Sequence, residues 1–283
     1  MLRIAVQKSG RLLDDSLQIL KEAGIKVDAS NGKLKSVASN FPLEVLFLRN
    51  SDIPQYVNDG VVDIAIVGEN LLIEERSNLE TLVKLNFSKC RVSLAVPKAS
   101  TVQSVKDFSG MKIATSYPNT VEDYLKKNNV SAEIHTISGS VEVAPAIGLA
   151  DAICDIVSSG NTLFMNGLRE LEVILKSEAV LVRTETLSTE KEAILEKLIF
   201  RIKAVLASKN SKYILLNAPN EKIEEIIRIL PGMKSPTILP LAEEGWSSLH
   251  SVISEDQFWE NIDALKDAGA EGILVVPIEK MVR

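Results

Sequence analysis

The chain is short of the residues that most metal centres and hydrolases depend on. Its 283 residues hold two histidines, His135 and His250, and two cysteines, Cys90 and Cys154. With two isolated histidines a multi-histidine metal site or a Ser-His-Asp hydrolase is hard to build, and structural roles are expected for both. The cysteines sit in apolar segments without metal-ligand spacing, so free thiols in a reducing compartment are expected. No apolar run nears the roughly 20 residues that span a bilayer, and the longest, such as 273–278, are strand-sized. The start, Met1-Leu2-Arg3-Ile4-Ala5-Val6-Gln7, reads as a strand and has no basic region followed by an apolar core and cleavage site. A cytoplasmic protein with no membrane partner is expected. Basic charge is also scarce: 32 Lys plus Arg against 38 Asp plus Glu leave a net charge of −6. With no helix-turn-helix pattern at either end, nucleic acid is not an expected partner, and any polyanionic ligand needs a local cationic pocket. Neither G-x-x-x-x-G-K-[ST] nor G-x-G-x-x-G occurs, which argues against ordinary P-loop and dinucleotide chemistry.

What is present is an alternation of short β-branched runs with amphipathic stretches. Residues 2–7 read as a strand, and the periodic segment through Leu13, Leu17, Ile19 and Leu20 as a helix ending near Gly24. Further strands are predicted at 43–48 and 62–67, with Asp52-Ile53-Pro54 opening a helix between them. A largely parallel α/β sheet follows. The pattern restarts at residue 91 and runs through strands at 112–115, 133–136 and 152–157, predicting a second α/β lobe. The apolar stretch 171–182 carries the chain back to the first lobe, forming a cleft between the two. Thr189-x-x-Glu192 has the form of a capping box ahead of one long helix over 189–208. The last 70 residues or so read βαββαβ, a ferredoxin-like unit, with Trp246 and Trp259 packing it. The expected domains are therefore 1–90 with 176–210, then 91–175, then 211–283.

The most informative segment runs from Gly148 to Leu163. In it the apolar strand Ala152-Ile153-Cys154-Asp155-Ile156-Val157 enters Ser158-Ser159-Gly160-Asn161-Thr162 before a helical run. Backbone N–H groups and hydroxyls there suit a phosphate monoester, and Gly160 permits close backbone approach. Asp155 stands where a carboxylate can accept from two ribose hydroxyls. A helix-capping turn with a solvated Asp155 explains the same residues equally well. The first strand ends in Gln7-Lys8-Ser9-Gly10-Arg11, and Arg49 ends a later one, so cations collect at carboxyl strand ends, where open α/β sheets bind ligands. Gly68-Glu69-Asn70 and Ser116-Tyr117-Pro118-Asn119 are further strand-end polar clusters, equally readable as helix caps. Glu142 falls in a helix first turn, where the dipole alone accounts for an acid.

These segments resemble the long form of the ATP phosphoribosyltransferases, the enzymes that open histidine biosynthesis. The likeness covers essentially the whole chain, including Arg49-Asn50-Ser51-Asp52-Ile53-Pro54, Cys90-Arg91-Val92-Ser93-Leu94-Ala95-Val96-Pro97 and the tail from Gly272 to Met281. It is most specific over 148–162. The resemblance implies two periplasmic-binding-protein-like lobes plus a ferredoxin-like regulatory domain. It implies that ATP and phosphoribosyl pyrophosphate give N1-(5-phosphoribosyl)-ATP and pyrophosphate, with Mg2+ held by substrate oxygens rather than a protein cage. By the same likeness Ser158, Ser159, Gly160, Asn161 and Thr162 hold the 5-phosphate and Asp155 the ribose. Lys8 and Arg11 lie at the nucleotide and pyrophosphate end, with Arg49, Glu69 and Tyr117 as ATP or pyrophosphate contacts. Glu69 stands where many relatives carry Asp. The C-terminal domain is expected to bind histidine as feedback inhibitor, with Ser235, Thr237 and His250 as contacts, and to support a dimer and a hexamer without a separate regulatory subunit. A non-catalytic two-lobed binding or sensor protein is the alternative.

Overall fold

The computed structural model describes residues 1–30, 32–230 and 232–282. It begins with β1 (Leu2–Gln7), α1 (Arg11–Glu22), β2 (Lys35–Val37), β3 (Leu43–Leu48), α2 (Ile53–Asn58), β4 (Ile64–Gly68), α3 (Glu69–Glu74) and β5 (Glu80–Lys84). There follow β6 (Cys90–Pro97), β7 (Lys112–Thr115), α4 (Pro118–Lys127), β8 (Glu133–Thr136), β9 (Ala152–Val157), α5 (Asn161–Met165), β10 (Leu168–Ser177) and β11 (Ala179–Arg183). The remainder forms α6 (Thr189–Ser208), β12 (Ser211–Pro219), α7 (Ile223–Ile229), β13 (Thr237–Pro240), β14 (Trp246–Ser254), α8 (Glu255–Asp267) and β15 (Glu271–Pro277). Two compact units result: Met1–Lys21 with Ile25–Glu196, and Glu22–Gly24 with Lys197–Arg283. Among the described residues no helix is long and apolar enough to cross a membrane.

The first unit holds two sheets, each the heart of a lobe. One has six strands in the order β2-β3-β1-β4-β11-β5, the other five in the order β10-β6-β9-β7-β8. The expected parallel arrangement holds for part of each sheet: β1 lies parallel to β3 and β4 at the centre of the first, and β7 parallel to β8 and β9 at one end of the second. Strands β2, β5, β6, β10 and β11 pair antiparallel. The reason is topological: β6 and β11 carry the chain between the sheets and enter each against the direction of its parallel strands. They do so as one ribbon, because β5 pairs with β11 on one side of the crossing and β6 with β10 on the other. Across the gap, the Ala179 amide donates to the Phe87 carbonyl at 3.0 Å and the Asn86 amide to Glu178 Oε2 at 2.9 Å.

Burial follows the period-2 alternation expected of strands. In β9, Ala152 and Cys154 join a core with Phe108, Ile113 and Val121, while Ile153 and Val157 join another with Val141, Leu163 and Leu168. The first lobe closes over Ala5, Ile53, Val57, Ala65 and Val67. The helix predicted over 189–208 forms, but not with the predicted cap. Glu192 is taken by the Arg183 guanidinium, and the Lys191 amide is capped instead by the Ser188 hydroxyl at 3.4 Å.

In the second unit the sheet order is β13-β14-β12-β15 with every neighbour antiparallel, the ferredoxin-like arrangement. Its core gathers Ile214, Leu216, Ile226, Leu249, Phe258 and Leu265. Trp259, expected inside, is 66% exposed and rests edge-on against Phe258. The inward stripe of α8 is set by Phe258 and Leu265, so the next residue along turns outward. Both cysteines are free, and burial raises both thiols above their ordinary range.

Candidate active site

Strand β9 ends where its apolar alternation ends, and the chain bends through Ser158 and Ser159 to Gly160. Gly160 has φ +84°, and a Cβ there would meet only Arg91 Nη2, at 4.0 Å. The glycine is thus required by backbone handedness rather than crowding. It precedes α5, and the Asn161 amide donates to Ser159 Oγ at 3.4 Å. A cavity of about 190 Å³ opens here, lined among others by Glu142, Asp155, Ser158, Ser159, Gly160 and Thr162. Every residue expected around the phosphate and ribose lines it except Asn161. Glu142, read from position alone as a helix-end acid, lines it too.

Asp155 accepts from the Ile156 amide at 2.7 Å. Burial raises its carboxyl above the ordinary range, that hydrogen bond opposes the shift, and the Glu142 charge adds to it. Tyr117 is half-buried and accepts from Asn70 Nδ2 at 3.3 Å. Burial, then the charge of Asp155, pushes its phenol well above the usual tyrosine value. Asn70 is itself fixed by Ser177, whose hydroxyl accepts from the Asn70 amide and donates to Asn70 Oδ1, both at 2.9 Å.

A second cavity, of about 450 Å³, lies between the sheets. Its walls carry Lys84, Lys89, Arg91 and Lys176 against Glu69 and Glu178, with Cys90, Ser158 and Ser177. With Arg91 paired to Glu170, three lysines face two acids, which leaves the pocket locally positive in a chain of net charge −6. Ser158 lines both cavities, and Glu69, salt-bridged to Lys84 at 3.2 Å, joins the second. From the first lobe, Arg11 Nη1 donates to Ser158 Oγ at 3.4 Å while its Nε lies 3.7 Å from Asp15. Lys8 and Arg49 are exposed at the ends of β1 and β3 and line neither cavity. Sequence reasoning missed Lys84, Lys89, Arg91 and Lys176. Arg91 stood inside a quoted motif, but its significance depends on Glu170, 79 positions on.

In the second unit Thr237 and His250 stand opposite each other in the β13–β14 ladder, and Ser235 lies just before β13. His250 has both ring nitrogens engaged, Nδ1 with Tyr213 Oη at 2.8 Å and Nε2 with Ser248 Oγ at 3.1 Å. His135 pairs with Glu133 at 2.8 Å. Among the described residues no group of three or more His, Cys, Asp or Glu side chains is arranged to hold a metal ion.

The family model described as ATP phosphoribosyltransferase matches residues 49–204, and the one described as HisG, C-terminal domain, matches 208–280. An ATP phosphoribosyltransferase of Cytophaga hutchinsonii is 59% identical over 283 residues, covering 100% of this chain and 99% of its own. This chain belongs to the ATP phosphoribosyltransferase family. A member from Bacteroides thetaiotaomicron is 56% identical over 282 residues, covering 100% of both chains. Membership makes the protein a glycosyltransferase-type enzyme and removes the non-catalytic sensor alternative. Among solved structures, the ATP phosphoribosyl transferase (HisG:HisZ) complex from Thermotoga maritima contains a chain with TM-score 0.64 and 27% identity. It covers 73% of this chain and 98% of its own. A periplasmic sulfonate-binding protein from Methylobacillus flagellatus KT has TM-score 0.51 at 17% identity, covering 80% of this chain and 72% of its own. That likeness concerns the fold alone, and it agrees with the two-lobed, periplasmic-binding-protein-like core.

Proposed function

We propose that the enzyme joins N1 of the adenine of ATP to the anomeric carbon of phosphoribosyl pyrophosphate, releasing pyrophosphate, as the first step of histidine biosynthesis. The observation that carries this reading is the convergence on Ser158, where the phosphate-suited bend, the positive interlobe pocket and Arg11 of the first lobe meet. The 5-phosphate takes the amides and hydroxyls of Ser158, Ser159, Gly160, Asn161 and Thr162, and the ribose hydroxyls take Asp155. The pyrophosphate and ATP phosphates take the positive pocket, Lys8, Arg11 and Arg49 reach them from the first lobe as the substrates bind, and Glu69 and Tyr117 contact the nucleotide.

The reaction breaks the bond from the anomeric carbon to pyrophosphate as the ring nitrogen lone pair forms the new one, through an oxocarbenium-like state. Alignment and neutralisation of the leaving group lower that barrier more than a strong base does, so no general base is assigned. Asp155 faces the developing positive charge on the ribose ring, and a carboxylate there stabilises it. Magnesium, when bound, adds neutralisation of the phosphates. The hard oxygens of Asp155 and Glu142 beside the phosphate bend, with no protein cage among the described residues, suit an ion that enters on its substrate.

Histidine is the proposed feedback inhibitor, bound in the ferredoxin-like unit near Ser235 and Thr237. The engaged ring of His250 buttresses that strand pair. A homo-oligomer, dimer and hexamer, is supported by exposed apolar residues on the outer strands, Ile238 and Leu239 on β13 and Leu274, Val275 and Val276 on β15. A regulatory domain within the chain makes a separate regulatory subunit unnecessary, and the cytoplasm is its expected location. The test is incubation with ATP, phosphoribosyl pyrophosphate and Mg2+ while following adduct absorbance. Adduct formation supports the reading, and substrate binding without turnover refutes it.

A further inference from the structure

The arginine nearest the phosphate bend has its charge already matched. Arg91 Nε and Nη2 donate to the two oxygens of Glu170 at 2.6 and 2.7 Å, and Ser93 Oγ, on a residue 1% exposed, donates to the same carboxylate at 2.7 Å. Arg91 Nη1 donates to the backbone carbonyl of Ser158 at 2.9 Å. A free guanidinium in this place would grip an incoming phosphate through the same two-pronged edge that Glu170 occupies. One of the remaining N–H groups contacts protein backbone instead. In a trans peptide the carbonyl of one residue and the amide of the next point in opposite directions. Drawing the Ser158 carbonyl to Arg91 therefore turns the Ser159 amide away from it.

We propose that Arg91, clamped by Glu170, is a positioning residue that fixes the peptide between Ser158 and Ser159 for the 5-phosphate, and that Glu170 keeps Arg91 from seizing a substrate or product anion itself. The proposal rests on the phosphoribosyl pyrophosphate reading of the site. It separates two effects that a simple cationic contact would merge. Arg91→Lys keeps the charge but cannot span both the carboxylate and the carbonyl, so KM for phosphoribosyl pyrophosphate rises at least tenfold while KM for ATP changes less than threefold. Glu170→Gln frees the guanidinium, so inorganic pyrophosphate measured by calorimetry binds at least fivefold tighter than to wild type. The Arg91→Lys/Glu170→Gln double variant loses that gain.

Unchanged or weaker pyrophosphate binding by Glu170→Gln overturns the proposal, as does an Arg91→Lys enzyme with wild-type kinetics or with both KM values raised alike. Thermal melts are recorded for each variant; should Arg91→Lys fail to fold, Glu170→Gln alone decides. Because calorimetry needs no turnover, a wild-type protein that forms no adduct refutes the proposed reaction while the Glu170→Gln result still judges the pair.

Discussion

Glu74 ends α3 in the first lobe, yet its side chain serves a helix of the second. It is 6% exposed, and its carboxylate accepts from the Asn119 and Thr120 amides, both at 2.9 Å, and from Thr120 Oγ1 at 2.8 Å. Helix α4 starts at Pro118 and has no side-chain cap of its own from Tyr117. Pro118 carries no N–H, so the Asn119 and Thr120 amides are the first donors that need an acceptor, and Glu74 supplies it from outside the helix, with its charge at the positive end of the dipole. Hydrogen bonds to a charged group contribute about 1.5–3 kcal/mol each, and they do not add fully. Glu74→Ala removes all three and leaves two amides in a buried place, for a predicted loss of about 3 kcal/mol. Glu74→Gln keeps one acceptor but sets an NH2 against an N–H, for a loss of about 2 kcal/mol. In a unit of this size each kcal/mol lowers the melting midpoint by about 2–4 °C, so the alanine variant melts about 6–12 °C lower, measured by calorimetry. Tyr117 sits at the same helix end, so the variant also disturbs its contact with Asn70. A midpoint within about 2 °C of wild type for Glu74→Ala would refute the reasoning.

Asp155→Asn separates stability from activity. Burial raises the Asp155 carboxyl, so its charged form costs stability at neutral pH, and that cost fades as pH falls through the raised value toward the ordinary aspartate range. Asparagine keeps an acceptor for the Ile156 amide without the charge, so the variant melts higher than wild type at pH 7. The difference closes near pH 4, about the unperturbed aspartate value, as pH-dependent melts will show. The same change lowers phosphoribosyl pyrophosphate use by about 1–3 kcal/mol in kcat/KM; unchanged kinetics reject its role at the ribose. Thr162→Ala lowers kcat/KM for phosphoribosyl pyrophosphate by a similar amount, about 1–3 kcal/mol, and a steady-state comparison with wild type checks it. A chain ending at Asn210 loses inhibition by histidine; inhibition that persists moves the effector to the interlobe cleft.

Local patterns made much of this legible. The strand and helix at the start, the long helix over 189–208, the bend after β9 and the βαββαβ tail each follow from periodicity and turn chemistry within a few residues. Pairings between distant residues were not legible. Strand direction in β6 and β11 depends on which sheet the chain enters, which no local window records. Strand β10 was blurred because two bulges interrupt its pairing with β6 and leave most of its residues half-buried. Glu74 looks like an ordinary helix-end acid until Asn119 and Thr120 are set beside it, and Glu192 matches a cap until Arg183 claims it. Arg91 and Glu170 form one device only across the sheet. Of the predicted cluster, the 158–162 bend was recognisable because strand, glycine and hydroxyls are contiguous, whereas the lysines of the interlobe pocket come from separate strand ends.

The doubled crossing between the sheets also determines what kind of movement the catalytic core permits. Two segments that stay hydrogen-bonded on both sides of the gap behave like a strap: they flex about their flat side but resist shear and swivel. Opening is thereby confined to one axis, and Ser177 and Glu178, which line the positive pocket, lie on it. A ligand seated there borders both this strap and Ser158, which Arg11 reaches from the first lobe.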